Sequence, residues 1–258
     1  MSILDTFDPS PEAIIMPKLI RPARGAETPL PETVLVTFRK EITERLLQRF
    51  APEVVGACAL GRTVQLYRFV CESKPFGFYN TLVGGAPNAI LLEQAIAMGG
   101  RRILVFGTCG ALRPDLTSGH FILPTEAYRD EGVSYHYAPP GDWIRVPTAQ
   151  RLGEIFDELG LPYTKGRTWT TDAFFRETPR NTQLRREQGC LAVEMECASL
   201  MAVAQLRGAE VYQFFYADDC LTGNTWDRRT MGAETQDTQE RVLAAALAVA
   251  LKLSAINP

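Results

Sequence analysis

Histidine and paired cysteines are scarce in this chain. Its 258 residues include two histidines, His120 and His136, and neither stands at metal-ligand spacing from a second histidine or a cysteine. No metal site is expected. The six cysteines form no Cys-x-x-Cys pair, so they read as reduced, mostly buried thiols of a cytoplasmic protein. The most apolar late tract, Val242–Leu253, is too short to span a bilayer and carries Lys252. Met1–Ser10 is polar and acidic, without the basic-then-apolar order of a signal peptide. Net charge is −3 and the 27 basic residues are scattered, which leaves no electrostatic footprint for nucleic acid or an anionic membrane. No strand leads into Gly-x-Gly-x-x-Gly and no Gly-x-Ser-x-Gly elbow occurs, which disfavours a dinucleotide oxidoreductase and an acyl hydrolase. There is no linker, repeat or low-complexity tract. The expectation is one domain over residues 1–258 with a small-molecule partner.

What is present is an alternation of short apolar runs and amphipathic stretches. Val34–Phe38, Val64–Val70, Phe76–Val83, Ile103–Phe106, Phe121–Leu123, Cys190–Val193 and Val211–Ala217 read as strands. Lys40–Gln48, Ala86–Met98, Thr148–Leu159, Met195–Leu206 and Thr235–Leu253 have helical periods, with Gly99, Gly160 and Gly208 as stops. Several strand runs are continuously apolar, as strands covered on both faces are. The pattern predicts a three-layer α/β/α sandwich around a mixed, mostly parallel central sheet. In such sheets ligands sit at the carboxyl ends of strands.

Three strand ends carry polar residues. After Ile103–Phe106 come Gly107, Thr108, Cys109 and Gly110, read either as a ligand cradle or as a tight turn that needs glycine. After Leu191–Val193 come Glu194, Met195 and Glu196; the two carboxylates share one face if the backbone is extended, or serve as dipole partners of the next helix. After Val211–Ala217 come Asp218 and Asp219, adjacent carboxylates that would repel unless one holds a proton, or the start of a solvated loop.

These segments resemble the nucleoside phosphorylases, a family that includes uridine phosphorylase, the hexameric purine nucleoside phosphorylases and the methylthioadenosine nucleosidases. The resemblance rests on Gly107–Leu112, Arg129–Tyr137, Trp169–Phe175, Val193–Glu196 and Ala217–Asp219, in that order. It implies a fold of the class already inferred and cleavage of the N-glycosidic bond of a nucleoside by phosphate, giving free base and ribose 1-phosphate. Glu196, with Glu194 and Met195, matches the segment that grips the ribose; Phe174 matches the aromatic residue against the base. Thr108 and Gly110 match the phosphate and ribose cradle, with Gly107. Asp219 matches the proton donor to a purine, Arg180 the arginine on uracil carbonyls, and His136 lies in a run similar to one of the uridine enzymes. The resemblance further implies no cofactor beyond phosphate as co-substrate, and a homo-oligomer, dimer or hexamer.

The departures concern phosphate. Val105 stands where phosphorylases carry an arginine, and Met16–Arg24 lacks their Gly-Asp-Pro-x-Arg loop. Arg21, Arg24 and Arg68 are the candidate replacements. Hydrolysis by a nucleosidase, and a catalytically weak nucleoside-binding homologue, are the alternatives.

Overall fold

The computed structural model describes residues 2–17, 29–222 and 225–256. Ten strands form among them: β1 (Thr33–Thr37), β2 (Glu53–Ala59), β3 (Thr63–Cys71), β4 (Lys74–Asn80), β5 (Arg102–Ala111), β6 (Phe121–Asp130), β7 (Trp143–Arg145), β8 (Tyr163–Thr171), β9 (Cys190–Glu194) and β10 (Glu210–Cys220). The α-helices are α1 (Lys40–Phe50), α2 (Gly85–Ala97), α3 (Ala149–Glu158), α4 (Pro179–Glu187), α5 (Cys197–Arg207) and α6 (Gln236–Ser254). Every strand and helix expected from the sequence forms. β2, β7, β8 and α4 are additions, and β5, β6 and β10 run well past their apolar starts. Gly160 and Gly208 follow α3 and α5 in left-handed backbone, the conformation that ends a helix without a Cβ clash.

Period-two alternation in the central strands divides the core into two halves. Val34, Val36, Ile103, Val105, Val211 and Phe215 pack toward α2 and α5. Leu35, Leu104, Phe106, Tyr212, Phe214 and Tyr216 pack toward α1, α3 and α6. Both faces of the sheet are therefore covered, which is the three-layer arrangement. The sheet is mixed, with parallel ladders joining β1 to β4 and β5, β5 to β10, and β8 to β6 and β9. Antiparallel pairs form the β2–β3–β4 edge and join β6 to β10 and β7, and β5 to β9.

The order is β10-β6-β8-β9-β5-β1-β4-β3-β2, and β10 also pairs with β5. Five strands thus close into a ring from which β1, β4, β3 and β2 extend as an open sheet. One edge of β5 is shared. β1 pairs with it as far as Phe106, and β9 takes over at Gly110. Between them lies a fork at the carboxyl end of β1, where neither strand pairs with Gly107–Cys109 on that edge.

This corrects the reading of Gly107–Gly110 as a turn, because the segment is strand throughout and neither glycine has a positive φ. The glycines answer to close packing. A Cβ on Gly107 would lie 2.6 Å from the Phe38 ring, and one on Gly110 would lie 2.6 Å from Leu221 and 2.9 Å from Val193.

Phe214 is fully buried, stacks on Phe106 and meets Phe121 and Phe156 edge to face. Phe214→Ala is expected to destabilise the fold by about 3–5 kcal/mol in denaturant unfolding, the usual range for a truncated core aromatic. A loss below about 1 kcal/mol would show that this cluster is not the centre of the second core half.

Candidate active site

The fork opens into a cavity of about 320 Å³ lined by Phe38, Val83, Thr108, Cys109, Gly110, Phe174, Glu177, Val193, Glu194, Met195, Glu196, Asp218, Asp219, Leu221 and Met231. A neighbouring cavity of about 350 Å³ shares Phe174, Glu177, Asp219 and Leu221 with it and adds Phe175, Pro179, Thr182, Thr225 and Trp226. Each is within the size range of small-ligand sites. Thr108, Gly110, Phe174, Glu194, Met195, Glu196 and Asp219, from four separate stretches of sequence, therefore meet in one place.

Glu194 ends β9 and is buried. One oxygen accepts hydrogen bonds from the Thr170 hydroxyl (2.6 Å) and the Thr168 hydroxyl (3.3 Å), both on β8. The other accepts from the backbone N–H groups of Glu196 (2.8 Å) and Cys197 (2.7 Å), at the start of α5. Burial pushes its pKa up to about 7, against the pull of those four donors. Glu194 thus takes the helix-terminus role that its spacing allowed. The helix starts two residues later than the sequence suggested, at Cys197, with Glu196 as its N-cap residue.

Glu196 is different. Among the described residues its carboxylate accepts a hydrogen bond from the Gly84 N–H at 2.6 Å, just ahead of α2, with the Met195 backbone as a further donor. Burial, followed by the charge of Glu194, raises its pKa to about 8. Gly84 has φ of 101°, a backbone region that favours glycine. A Cβ on the adjacent Gly85 would fall 2.3 Å from the Ser199 hydroxyl, so α2 approaches α5 closely enough for the contact with Glu196 only with glycine there. Most of the hydrogen-bonding capacity of Glu196 remains for a ligand in the cavity.

The two aspartates of β10 both reach the cavity because the β5–β10 register shifts between Ala217 and Asp219, which makes Asp218 the extra residue of a bulge. Bulges re-aim side chains beside sites in this way. Asp218 is tied to the Thr230 hydroxyl at 2.8 Å. Asp219 pairs level with Gly110 and accepts from the Trp226 indole N–H at 2.6 Å through Oδ2. Burial raises the pKa of both, most directly opposed in Asp219 by the Trp226 hydrogen bond.

Other candidates lie elsewhere. Arg180 is exposed at the start of α4 and lines a polar groove next door, with Arg186 and Thr222. Pro179 and the Thr178 cap, which accepts from the Asn181 N–H, begin the helix there and carry Arg180 outside the cavity. His136 ends a 3₁₀ turn and lines a separate cavity with Asp8, Tyr137 and Arg207. Arg68 pairs with Gly77, which is level with Val34 and so with Ile103. That places it roughly 16 Å along the strands from Thr108, at about 3.3 Å per residue. Gly107 sits against Phe38 and does not line the cavity. Arg21 and Arg24 lie outside the described residues. Among the described residues, no lysine, arginine or histidine lines either cavity.

Glu177 was missed. It follows the 3₁₀ turn Phe174–Arg176 and lines both cavities, yet in sequence it is one charge within a polar run. No periodicity marks it.

For Glu196 the raised pKa has a stability consequence. An acid protonated more readily when folded stabilises the fold below its ordinary pKa near 4.5, and that contribution is lost as pH rises toward 8. Glu196→Gln is therefore expected to melt higher than the parent at pH 8, by a margin that shrinks toward pH 5, while losing about 10²-fold or more in catalytic turnover. A variant less stable at pH 8, or one with unchanged kinetics, would contradict this reading.

A family model described as the phosphorylase superfamily matches residues 47–255. A DeoD-type purine nucleoside phosphorylase of Geobacillus kaustophilus is 31% identical over 177 residues, 65% of this chain and 72% of that protein. A uridine phosphorylase of Treponema pallidum is 26% identical over 234 residues, 84% of this chain and 87% of its own length. Among solved structures, the purine nucleoside phosphorylase of Toxoplasma gondii in complex with immucillin-H superposes with a TM-score of 0.75 at 20% identity, covering 90% of this chain and 98% of that one. An AMP nucleosidase of Bacteroides thetaiotaomicron superposes with a TM-score of 0.68 at 18% identity, over 87% and 89%. Both structural likenesses speak to the fold.

Proposed function

The chain belongs to the phosphorylase superfamily, and from that premise we propose that it cleaves the N-glycosidic bond of a purine nucleoside, with inorganic phosphate as nucleophile. The observation that carries the reading is the convergence of Glu196, Phe174 and Asp219 on one cavity at the carboxyl end of the sheet. Cleavage builds positive charge on the ribose and negative charge on the leaving base. Glu196 accepts hydrogen bonds from ribose hydroxyls and its charge stabilises the cationic sugar. Phe174 packs against the base, and Asp219 gives the base a proton. Thr108 and Gly110 line the space beside the sugar. The purine preference follows from Asp219 lining the cavity while Arg180, the residue suited to uracil carbonyls, lies outside it. No further cofactor enters the proposal. A cytoplasmic location fits the six free thiols, and a homo-oligomer fits Phe175, almost fully exposed at the cavity mouth.

Phosphate is favoured by the named relatives, a purine nucleoside and a uridine phosphorylase. A second reading, hydrolysis, is favoured by the lining itself. Glu177, Glu194, Glu196, Asp218 and Asp219 face the cavity with no cation among the described residues, which suits neutral water better than an anion. Base release from a nucleoside panel, with and without phosphate, decides between them. Phosphorolysis predicts a rate that rises with phosphate, a high KM for it, and ribose 1-phosphate as product. Free ribose at a rate indifferent to phosphate would establish hydrolysis.

The role of Asp219 has its own test. Asp219→Asn is expected to lose activity on purine nucleosides by about 10²-fold or more, within the range for a lost general acid. It should spare a riboside whose leaving group needs no protonation, such as a nitrophenyl riboside. If Asp218→Asn gives that pattern instead, the proton donor is the bulge residue.

A further inference from the structure

Glu177 has a position that nothing in the fold explains. It is half-buried immediately after the turn that presents Phe174, and its backbone N–H donates to the Phe174 carbonyl at 3.5 Å. Among the described residues nothing hydrogen-bonds or ion-pairs with its carboxyl group. A carboxyl withdrawn from water without a partner is costly to keep charged. Glu177 nevertheless lines both cavities, and the residues common to the two are Phe174, Glu177, Asp219 and Leu221. The end of the site where an aromatic ring meets a base is therefore flanked by two carboxyl groups.

Asp219 has one oxygen already engaged. The Trp226 indole N–H can only donate, so Oδ2 accepts, and a proton on Asp219 belongs on Oδ1. Oδ1 lies 3.2 Å from where a Cβ on Gly110 would stand, a residue of the lining of the first cavity. Glu177 has both oxygens available.

Building on the purine reading of this cavity, we propose that Glu177 selects the leaving base: Asp219 donates its O–H to the purine N7 while Glu177, as carboxylate, accepts from an exocyclic amino group, which favours 6-aminopurine nucleosides over 6-oxopurine ones. A 6-aminopurine edge places an acceptor beside a donor, and a carboxylic acid beside a carboxylate is its complement. A 6-oxopurine edge presents two acceptors, N7 and O6, and sets O6 against the Glu177 carboxylate. As the C1′–N9 bond breaks, its electron pair passes into the base, N7 takes the Asp219 proton, and an oxygen of phosphate bonds to C1′. The Asp219 carboxylate recovers a proton from solvent after the base departs. Burial, then the charge of Asp219, pushes the Glu177 pKa up to about 7, so in the empty site the proton the pair holds rests on Glu177, and the division above requires the bound base to draw it to Asp219.

The test compares kcat/KM for adenosine and inosine in the parent enzyme and in Glu177→Gln. The parent is expected to prefer adenosine by at least tenfold. The glutamine amide donates to O6 as readily as its carbonyl accepts from N6, so the ratio should fall at least tenfold, with inosine gaining in absolute terms. A ratio within twofold of the parent, or a parent that prefers inosine, overturns the proposal for Glu177. Cleavage of either purine by the parent meanwhile upholds the broader reading. A parent that cleaves neither overturns both. Should Glu177→Gln fail to fold, the parent's ratio between pH 5.5 and 8.5 carries the test. The charged groups acting on the pair are Asp218, which raises Asp219, and Arg229, which lowers it. Acid should protonate Glu177 and erode the preference for adenosine, whereas a flat ratio across that range overturns the assignment.

Discussion

Glu194 is buried and accepts four hydrogen bonds, and the geometry of the site depends on it. The four donors belong to two elements: two hydroxyls of β8 and two backbone N–H groups at the start of α5. A buried carboxylate left unpaired is costly, and one paired this fully is rigid. Satisfying Glu194 locks the end of β9 to β8 and fixes the backbone of Glu196, two residues on. Glu196 is then held from its other side by the Gly84 N–H ahead of α2. One residue is consumed by structure so that its neighbour can be presented with most of its hydrogen-bonding capacity unused.

The second constraint is the fork in the sheet. β5 exchanges β1 for β9 along one edge because β5, β10, β6, β8 and β9 close into a ring, which the open part of the sheet cannot enter. The gap left between the two partners is the floor of the cavity. It stays open because Gly107 and Gly110 lack side chains where Phe38, Leu221 and Val193 already crowd. The bulge at Asp218 belongs to the same construction. It brings two successive carboxylates of one strand to one cavity, which plain alternation forbids.

Much of the fold was legible in the sequence because its core elements carry strong patterns. Apolar runs such as Val211–Ala217 and amphipathic stretches such as Lys40–Gln48 could hardly be read otherwise. The missed elements lack those patterns. β8 is rich in threonine and half of it is only partly buried, β2 is an edge strand, and α4 buries Thr182 and Arg185 in place of an apolar stripe. At the site, strand-end motifs located Glu196, Asp219 and Thr108, since a strand end has one place to be in such a sheet. Arg180, His136 and Arg68 had no such anchor. Each sits on an element whose orientation is set by local caps and pairings, and those turn it away from the cavity. Glu177 was illegible for the converse reason, since its polar surroundings in sequence become cavity wall only through the turn at Phe174–Arg176.

The resulting pocket is poorly suited to stability and well suited to a cation formed in passing. Glu177, Glu194, Glu196 and Asp219 all have raised pKa values, chiefly through burial, so the resting protein bears the strain of carboxyl groups withdrawn from water. On the proposed reading, a neutral nucleoside would relieve part of that strain by donating hydroxyl hydrogen bonds to Glu196. The proposed transition state would relieve more, because positive charge would then appear on the sugar beside Glu196 while the base draws a proton from the opposite end. An arrangement that destabilises the empty site and is relieved most by the transition state is differential binding in its simplest form. The same electrostatics set a condition on the nucleophile: a cation from beyond the described lining must offset these carboxylates for phosphate to bind, whereas water needs none.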